Sequence, residues 1–186
     1  MGKLTISETP LKGLYIVETN AFVDHRGAFA RWFCEEELAA LLGKRHIKNV
    51  NFSRTVKKGS IRGMHFQKPP HAEMKLVRCI KGKVFDVAID LRLDSKTYLQ
   101  WHGVELSAEK MNMFVIPEGF AHGFQSLDDN VEMLYLHTEF YNNESENALR
   151  YNDPKLNIQW PLEISEISEK DAKHPLIDAN IIGVKI

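Results

Sequence analysis

The chain has 186 residues, of which 44% are hydrophobic and 26% charged, and its formal net charge is -1. Such a length and composition are typical of one soluble domain with a sizeable core, so we predict a single domain over residues 1–186. The balanced charge argues against a binder of polymeric nucleic acid, whose affinity depends on neutralising phosphates. A single nucleotide-sized anion remains a possible ligand.

Cys34 and Cys79 are isolated in the sequence and show no CxxC spacing, which favours two reduced, packed thiols over a disulfide. The N-terminus carries no apolar run of signal-peptide length, and Ile6 stands where a myristoylation signal needs Ser or Thr. No stretch approaches the roughly 20 apolar residues of a membrane span. We therefore expect a cytoplasmic protein without a membrane partner.

The predicted elements are mostly short strands separated by turn residues. A single helix is predicted in the first half, from Glu35 to Leu42, with acidic residues in its first turn and Gly43 after its end. Lys75–Ile80 and Val84–Leu91 flank a Lys-Gly-Lys turn and are predicted to form a hairpin. Further strands are predicted at Leu14–Val17, Ala28–Phe33, Trp101–Leu106, Met113–Ile116, His122–Leu127 and Val131–Phe140.

This series of strands without intervening helices predicts a β-sandwich or jelly roll. After about Asn142 the pattern becomes more polar and ends in a helix predicted to begin at Ser168. We expect residues 142–186 to pack on the β-structure as a C-terminal segment.

The segment from Ser60 to Gln67 is the strongest candidate for chemistry. Regular alternation would place Ile61, Gly63, His65 and Gln67 on one face and Arg62 on the other. A titratable imidazole on an inward face is costly without a partner, and its proton moves near neutral pH, so His65 is a candidate general base. Gly63 could permit a bulge that brings Arg62 into the same cleft.

The strand from Val131 contains a polar, aromatic face. Alternation groups Tyr135, His137, Glu139 and Tyr141 with Val131 and Met133. We interpret this face as the wall of a ligand cavity rather than a solvent-facing surface.

Two segments resemble the sequence motifs of the cupin superfamily. The first contains His65, Gln67 and Glu73, and the second is Pro-Glu-Gly-Phe-Ala-His, ending at His122. Metal-binding cupins usually carry His where this chain has Gln67. The remaining set of His65, Glu73 and His122 is poor for a first-row metal, so no metal is expected.

Read together, a longer series of segments resembles the dTDP-4-dehydrorhamnose 3,5-epimerase family over roughly residues 20 to 178. In chain order these segments are Asp24–Gly27, Ile61–Gln67, Lys75–Cys79, Gly82–Arg92, Leu106–Glu109, Ile116–Phe124, Asn152–Pro154, Trp160–Pro161 and Ser168–Asp171. The resemblance implies a mainly β, cupin-type jelly roll (double-stranded β-helix) with a few short helices, no cofactor and a homodimer. The implied substrate is a nucleotide-linked 4-keto-6-deoxyhexose, with dTDP as the expected nucleotide. The implied reaction inverts C3 and C5, in the biosynthesis of deoxysugars for surface polysaccharides such as the O-antigen of lipopolysaccharide.

The resemblance also implies roles for individual residues. His65 would be the base, oriented by Asp171, Tyr135 the acid on the opposite ring face, and Lys75 the cation that holds the C4 oxygen as it becomes an enolate. The residues expected at the nucleotide and substrate are Arg26, Arg62, Asn49, Asn51, His122, Glu146, Lys170 and Tyr141. The set is chemically consistent, because a ketone acidifies both adjacent C–H bonds and a preorganised cation stabilises the oxyanion. The remaining histidines that we interpret as structural or solvent-facing are His25, His46, His102 and His174.

The chain departs from the family pattern at Arg31, at Asn49-Val50-Asn51 and at Leu136, which we expect to lie around the nucleotide and substrate. Four alternatives therefore stay open: a C3-only epimerase, an enzyme for a CDP- or other nucleotide-linked sugar, a metal-dependent cupin enzyme that uses His65, Glu73 and His122, and a noncatalytic nucleotide-sugar binding protein.

Overall fold

A computed structural model describes residues 3–177 and 183–186; residues 1, 2 and 178–182, at the two ends of the predicted domain, lie outside the described residues. The described part is dominated by strands and contains two helices of four residues each. In chain order the elements are β1 (Leu4–Glu8), β2 (Tyr15–Thr19), β3 (Phe22–Asp24), β4 (Gly27–Phe29), α1 (Ala39–Leu42), β5 (Asn49–Thr55), β6 (Ile61–Gln67), β7 (Lys75–Lys81), β8 (Lys83–Asp90), β9 (Trp101–Ser107), β10 (Met113–Ile116), β11 (Phe120–Ser126), β12 (Val131–His137), β13 (Glu146–Ala148) and α2 (Glu169–Ala172). None of the described helices is long and apolar enough to cross a membrane.

The strands form two facing sheets and a separate hairpin, and every pairing between them is antiparallel. The first sheet has the order β1-β2-β10-β7-β12-β5, the second has the order β13-β6-β11-β8-β9, and β3 pairs only with β4. Consecutive strands such as β5 and β6, or β11 and β12, lie in different sheets. This is the cupin-like jelly roll that the sequence predicts.

The central core lies between the two sheets. It joins Val77 of β7 and Phe114 of β10, in the first sheet, to Ala88 of β8 and Phe124 of β11, in the second. All four side chains are at most 2% exposed. Because strand residues alternate between faces, the opposite faces of the same strands need separate cover.

The second sheet is covered on its outer face by the C-terminal segment. Met64, Val87 and Ile89 pack there against Leu149 and Leu156. β13 pairs with β6, which adds backbone hydrogen bonds to this contact. These contacts support the prediction of one domain, which stays a prediction.

The predicted hairpin between Lys75–Ile80 and Val84–Leu91 is wrong. Both strands exist, but β7 pairs with β10 and β12 whereas β8 pairs with β9 and β11. The strands extend to Lys81 and Lys83, so that Gly82 alone, at φ 72°, turns the chain from one sheet into the other. Alternation could not reveal this, because β8 buries Val84 and Ala88 on one face and Val87 and Ile89 on the other.

The predicted helix from Glu35 to Leu42 is also shorter than expected, since α1 begins only at Ala39. The acidic residues before it are held by tertiary partners: Glu37 accepts the Leu4 N–H at 2.7 Å and forms an ion pair with Arg31. The end of the helix at Gly43 is as predicted, with Gly43 at φ 59°. Leu38 and Leu42 cover the outer face of the first sheet.

Candidate active site

A cavity of about 810 Å³ lies between the two sheets and beneath the segment that carries α2. Its described lining comes from β5, β7 and β12 of the first sheet and from β6 and β11 of the second. The predicted site residues that line it are Asn51, Arg62, His65, Lys75, His122, Tyr135, Lys170 and Asp171.

A β-bulge in β6 brings Arg62 and His65 to the same wall. Arg62 pairs with Phe124, and His65 pairs with His122. Gly63 and Met64 of β6 therefore lie together opposite one residue of β11, Gly123. The extra residue puts Arg62 and His65 on one face, although regular alternation would separate them. The prediction that Ile61 and Gly63 share the face of His65 in a regular strand is therefore wrong.

Only glycine fits at position 63. Gly63 has φ 132°, and a Cβ atom there would lie 2.5 Å from the Cα of Gly123 and 2.9 Å from the carbonyl oxygen of His122. The bulge, and with it the direction of His65, thus depends on close contact between two backbones.

His65 and Asp171, which are 106 positions apart, form a hydrogen-bonded pair at 2.8 Å between Nε2 and Oδ1. The N-cap of α2 positions the carboxylate, since the Ser168 hydroxyl accepts the Asp171 N–H at 3.0 Å and the Asp171 side chain reaches the Gly63 N–H at 3.4 Å. Burial is the largest influence and opposes ionisation, but the hydrogen bond and charge of His65, together with the bonds to Gly63 and Ser168, hold the pKa of Asp171 below its usual value. An ionised Asp171 fixes the proton on Nε2 and leaves Nδ1 of His65 free as a base.

Tyr135 stands on the opposite wall, because β12 belongs to the first sheet and β6 to the second. Its hydroxyl is hydrogen-bonded to the Ser53 hydroxyl at 2.9 Å. Burial raises the pKa of Tyr135 well above that of a free phenol, so the side chain carries its proton at neutral pH. The cavity thus has a proton acceptor on one wall and a proton donor on the other.

Lys75, at the start of β7, also lines the cavity and belongs to an ionic network. Its ammonium is 3.3 Å from Glu73 Oε1 and donates to the His65 carbonyl oxygen at 3.5 Å. Glu73 Oε2 accepts a hydrogen bond from His137 Nδ1 at 2.7 Å, and Asn51 donates to His137 Nε2 at 3.3 Å. Burial alone would raise the pKa of Glu73, but His137 and Lys75 hold it below its usual value.

Cationic side chains dominate the part of the cavity near β5. Arg62 donates to the Thr55 hydroxyl at 2.9 Å and to the Arg54 carbonyl at 3.2 Å, and none of the described residues forms a salt bridge with it. An unpaired guanidinium that lines a cavity is suited to a phosphate or diphosphate. Arg54 and Lys170 belong to the same lining, where each is paired with a carboxylate, of Glu132 and Glu146 respectively.

His122 lies against a fully buried carboxyl. Its Nε2 is 2.8 Å from Asp86 Oδ1, and its ring is 6.3 Å from that of Tyr135. Burial raises the pKa of Asp86 even with His122 beside it. Asp86 fixes the orientation of His122 toward the cavity.

Glu146 and Tyr141 form the rim with Lys170. Glu146 Oε2 accepts from Lys170 Nζ at 2.8 Å and from the Tyr141 hydroxyl at 3.1 Å. Glu146 therefore contacts Lys170, a lining residue, and Tyr141 is linked to Lys170 through Glu146.

Two predicted substrate-binding residues lie apart from this cavity. Arg26 is at the tip of the β3–β4 hairpin, where it pairs with Asp24 and its side chain is 78% exposed. Asn49 begins β5 opposite His137 and is not among the described lining residues. Arg26 lies in the hairpin turn, whereas Asn49 shares the face of Asn51 but lies at the very start of β5.

Of the departures from the family pattern, only Asn51 is among the described lining residues of the cavity. Leu136 is 8% exposed and packs in the outer cluster with Leu38 and Leu42, because alternation turns it away from Tyr135. Arg31 pairs with Glu37 outside the described cavity lining.

Sequence reasoning missed several partners of the site residues. Asp86 could have been suspected, since it is a carboxyl between Val84 and Ala88 on one face of β8. His174 was interpreted as structural or solvent-facing, yet its Nε2 is 3.7 Å from Asp171 Oδ1. Nothing in the local sequence around His174 indicates that contact.

The metal set that the cupin alternative needs does not form. His65 pairs with Asp171, Glu73 with Lys75 and His137, and His122 with Asp86. Each candidate ligand thus pairs with a different residue, and among the described residues these three do not bring their ligand atoms within 4.8 Å of one another.

The jelly roll and its facing proton acceptor and donor define an acid–base isomerase with a cupin-like fold. The sequence model of dTDP-4-dehydrorhamnose 3,5-epimerase matches residues 8–179. The chain belongs to this family.

Three similar proteins illustrate the match. The dTDP-4-dehydrorhamnose 3,5-epimerase of Salmonella typhimurium is 40% identical over 96% of this chain and 98% of the relative. A crystal structure of dTDP-6-deoxy-D-glucose-3,5-epimerase from Legionella pneumophila, in complex with dTDP-4-keto-L-rhamnose, is 41% identical, covers 98% of each chain and has a TM-score of 0.90. A 3'-monoepimerase from Streptomyces bikiniensis, in complex with dTDP-quinovose, is 29% identical, covers 90% of this chain and 85% of its own, and has a TM-score of 0.84.

Proposed function

We propose that this protein is an isomerase that inverts C3 and C5 of dTDP-4-keto-6-deoxyglucose. One observation carries the proposal: the His65–Asp171 pair faces Tyr135 across a cavity that also contains Lys75. The substrate is inferred from the family, and the acid and base for the proton transfers are inferred from the geometry of the cavity.

In the first step, Nδ1 of His65 removes the proton from the carbon next to the ketone. The electron pair of the C–H bond moves into the C4 carbonyl, and the resulting enolate oxygen meets the Lys75 ammonium. Asp171 stabilises the imidazolium that forms. A positioned base contributes typically 10²- to 10⁴-fold to such a rate, so no cofactor is needed for the step.

In the second step, the Tyr135 hydroxyl gives its proton to the opposite face of the same carbon. The enolate collapses to the ketone with the inverted configuration. The tyrosinate is stabilised by the Ser53 hydroxyl, and the two side chains return to their starting states by exchange with solvent. Return of a proton from the His65 side would only regenerate the substrate.

Recognition of the nucleotide rests on Arg62, Lys170, His122 and Asn51, which line the cavity. A diphosphate beside Arg62 would give that guanidinium an anionic partner. Glu146 and Tyr141 would contact the ligand at the rim through Lys170.

The test is to incubate the protein with dTDP-4-keto-6-deoxyglucose in D₂O and to follow C3 and C5 by NMR. Deuterium at both carbons with inverted products supports the proposal. Deuterium at neither carbon would contradict it and would favour a noncatalytic nucleotide-sugar binding protein.

A C3-only epimerase is the second candidate, because a relative with this fold is described as a 3'-monoepimerase. Both reactions need the same base, acid and oxyanion cation, so the candidate differs in how the sugar is oriented. In the experiment above, deuterium confined to C3 would identify it.

The nucleotide is tested separately by titration with dTDP, CDP, GDP and UDP. We expect the tightest binding for dTDP, since relatives are named for dTDP-linked sugars. Tighter binding of CDP would assign the chain to a different nucleotide sugar.

We further propose that the protein is a homodimer. β5 is an edge strand of the first sheet and exposes Val50 and Phe52, while the β3–β4 hairpin exposes Phe22 and Phe29. Exposed apolar side chains on an open strand edge are typical of an interface. Since β5 also lines the cavity, a hairpin docked against β5 of a second protomer would bring Arg26 to the nucleotide, which one chain alone does not achieve.

Light scattering coupled to size exclusion tests this arrangement. The expected mass is that of two chains, and Phe52→Asp should yield a monomer with weaker dTDP binding. A wild-type monomer that binds dTDP normally would contradict it.

We place the activity in cytoplasmic deoxysugar synthesis for surface polysaccharide. Loss of that polysaccharide in a deletion strain would test this assignment.

A further inference from the structure

His174 is a partly buried imidazole next to the proposed base, and the mechanism above gives it no role. It follows α2, its side chain is 18% exposed, and its ring stands edge-on to that of His65 with the centroids 6.3 Å apart. Its Nε2 is buried and has no hydrogen-bond partner among the described residues, yet it lies 3.7 Å from Asp171 Oδ1. A buried imidazole nitrogen without a hydrogen-bond partner can coordinate a metal ion.

Three potential ligand atoms, one each from His65, Asp171 and His174, all lie within 4.8 Å of one another. Zinc binds imidazole nitrogen and carboxylate oxygen at about 2.0–2.2 Å, which in a tetrahedral site places ligand atoms roughly 3.3–3.5 Å apart. Small side-chain rotations would therefore bring the three atoms to zinc-binding distances. Two imidazoles and one carboxylate suit zinc and its transition-metal neighbours better than magnesium or calcium.

We propose that His65, Asp171 and His174 form an inhibitory site for a divalent transition metal, with Zn²⁺ as the best-matched ion. A fourth position is left for water. This site differs from the set of His65, Glu73 and His122 that the cupin motifs suggest.

The inhibition follows from the tautomer of His65 and rests on the proposed epimerase mechanism. In the resting pair, Nε2 carries the proton and Nδ1 is the base. When Nε2 binds the metal, the proton of a neutral imidazole moves to Nδ1, and the Asp171 carboxylate turns from His65 to the metal. No proton is gained or lost overall, but the atom that must accept the substrate proton is now occupied. Metal binding and catalysis are thus mutually exclusive.

The first experiment measures binding without activity. Zinc sulfate is titrated calorimetrically into the full chain, and Co²⁺ absorption reports the coordination of the bound ion. We expect one ion per chain, with affinity lowered at least about 100-fold in His174→Gln, since even outer partners of metal ligands are worth 10- to 100-fold. His174→Asn is a second variant in case the first folds poorly, and His46→Gln, at an exposed imidazole, is the matched control.

The second experiment measures epimerisation of the ketosugar in EDTA and in zinc. We expect His174→Gln to match the wild type in EDTA and to resist zinc, while His46→Gln stays sensitive. Equal zinc affinity of wild type and His174→Gln, or equal inhibition of both, would overturn the site. If zinc binds through His174 but the wild type is inactive in EDTA, the metal site stands and the proposed metal-independent mechanism fails.

Discussion

Replacement of Glu73 by Gln tests the ionic network beneath the cavity. Glu73 is 9% exposed at its side chain and is the common partner of Lys75 and His137, at 3.3 and 2.7 Å. Hydrogen bonds to charged groups contribute about 1.5–3 kcal/mol each, and Gln can replace one of them by a neutral bond of about 1 kcal/mol. We therefore expect Glu73→Gln to lower the free energy of unfolding by about 2–4 kcal/mol at neutral pH.

The pH dependence follows from the direction of the Glu73 pKa. Burial opposes ionisation, but His137 and Lys75 lower the pKa in the folded state below the ordinary 4.5. The stabilisation is thus fully present above that ordinary value and is lost as the pH falls through the folded pKa. The difference between wild type and Glu73→Gln should be largest at neutral pH and should shrink as the pH falls through the folded-state pKa of Glu73, where the wild-type carboxyl becomes protonated too.

Urea denaturation, followed by tryptophan fluorescence across this pH range, measures the effect. Turnover should also fall, by about tenfold, because a loosened Lys75 is a poorer partner for the enolate. The control is Glu118→Gln, which breaks the Glu118–Arg45 pair, whose Arg side chain is 38% exposed. We expect a smaller loss of stability there and unchanged turnover. A Glu73→Gln protein as stable as the wild type, or a loss that does not vary with pH, would refute the reasoning.

Three further changes test other parts of the account. Lys75→Met should lower kcat by about 10²- to 10³-fold with little change in KM, since the cation acts on the enolate; an equal rise in KM with normal kcat would assign Lys75 to binding. Gly63→Ala should cost about 2–4 kcal/mol of folding free energy, because its Cβ would lie 2.5 Å from the Gly123 Cα, and a thermal melt like that of wild type would contradict the bulge. Burial raises the pKa of the Cys79 thiol to about 11, so a thiol reagent should modify Cys34 in the native protein and reach Cys79 only on unfolding; two rapidly reacting thiols would contradict this.

Local patterns predicted most of the longer strands, because each depends on neighbouring residues, but they missed β1, β3, β5 and β13. Alternation correctly placed Val131, Met133 and Tyr135 on one face of β12, and the Ser168 N-cap correctly marked the start of α2. The predicted hairpin failed because the choice of sheet depends on distant partners. The turn at Gly82 has the same local sequence whether the strands pair or separate.

The candidate site was only partly accessible to sequence reasoning, for the same reason. His65 could be singled out as a polar residue in a buried strand, but its contact with Asp171 spans 106 positions and came only from the family resemblance. The bulge that aligns Arg62 with His65 depends on two glycines in separate strands. The contacts of Asp86, His137 and His174 with the site residues appear only when the sheets are assembled.

The central claim is that His65 and Tyr135 act on opposite faces of the same carbon, and deuterium exchange in their variants tests it most directly. With dTDP-4-keto-6-deoxyglucose in D₂O, Tyr135→Phe should exchange hydrogen for deuterium in recovered substrate without inverting it, since His65 still removes the proton and returns a deuteron to the same side. His65→Asn should show neither exchange nor inversion. Exchange that persists in His65→Asn, or inversion that persists in Tyr135→Phe, would contradict the account.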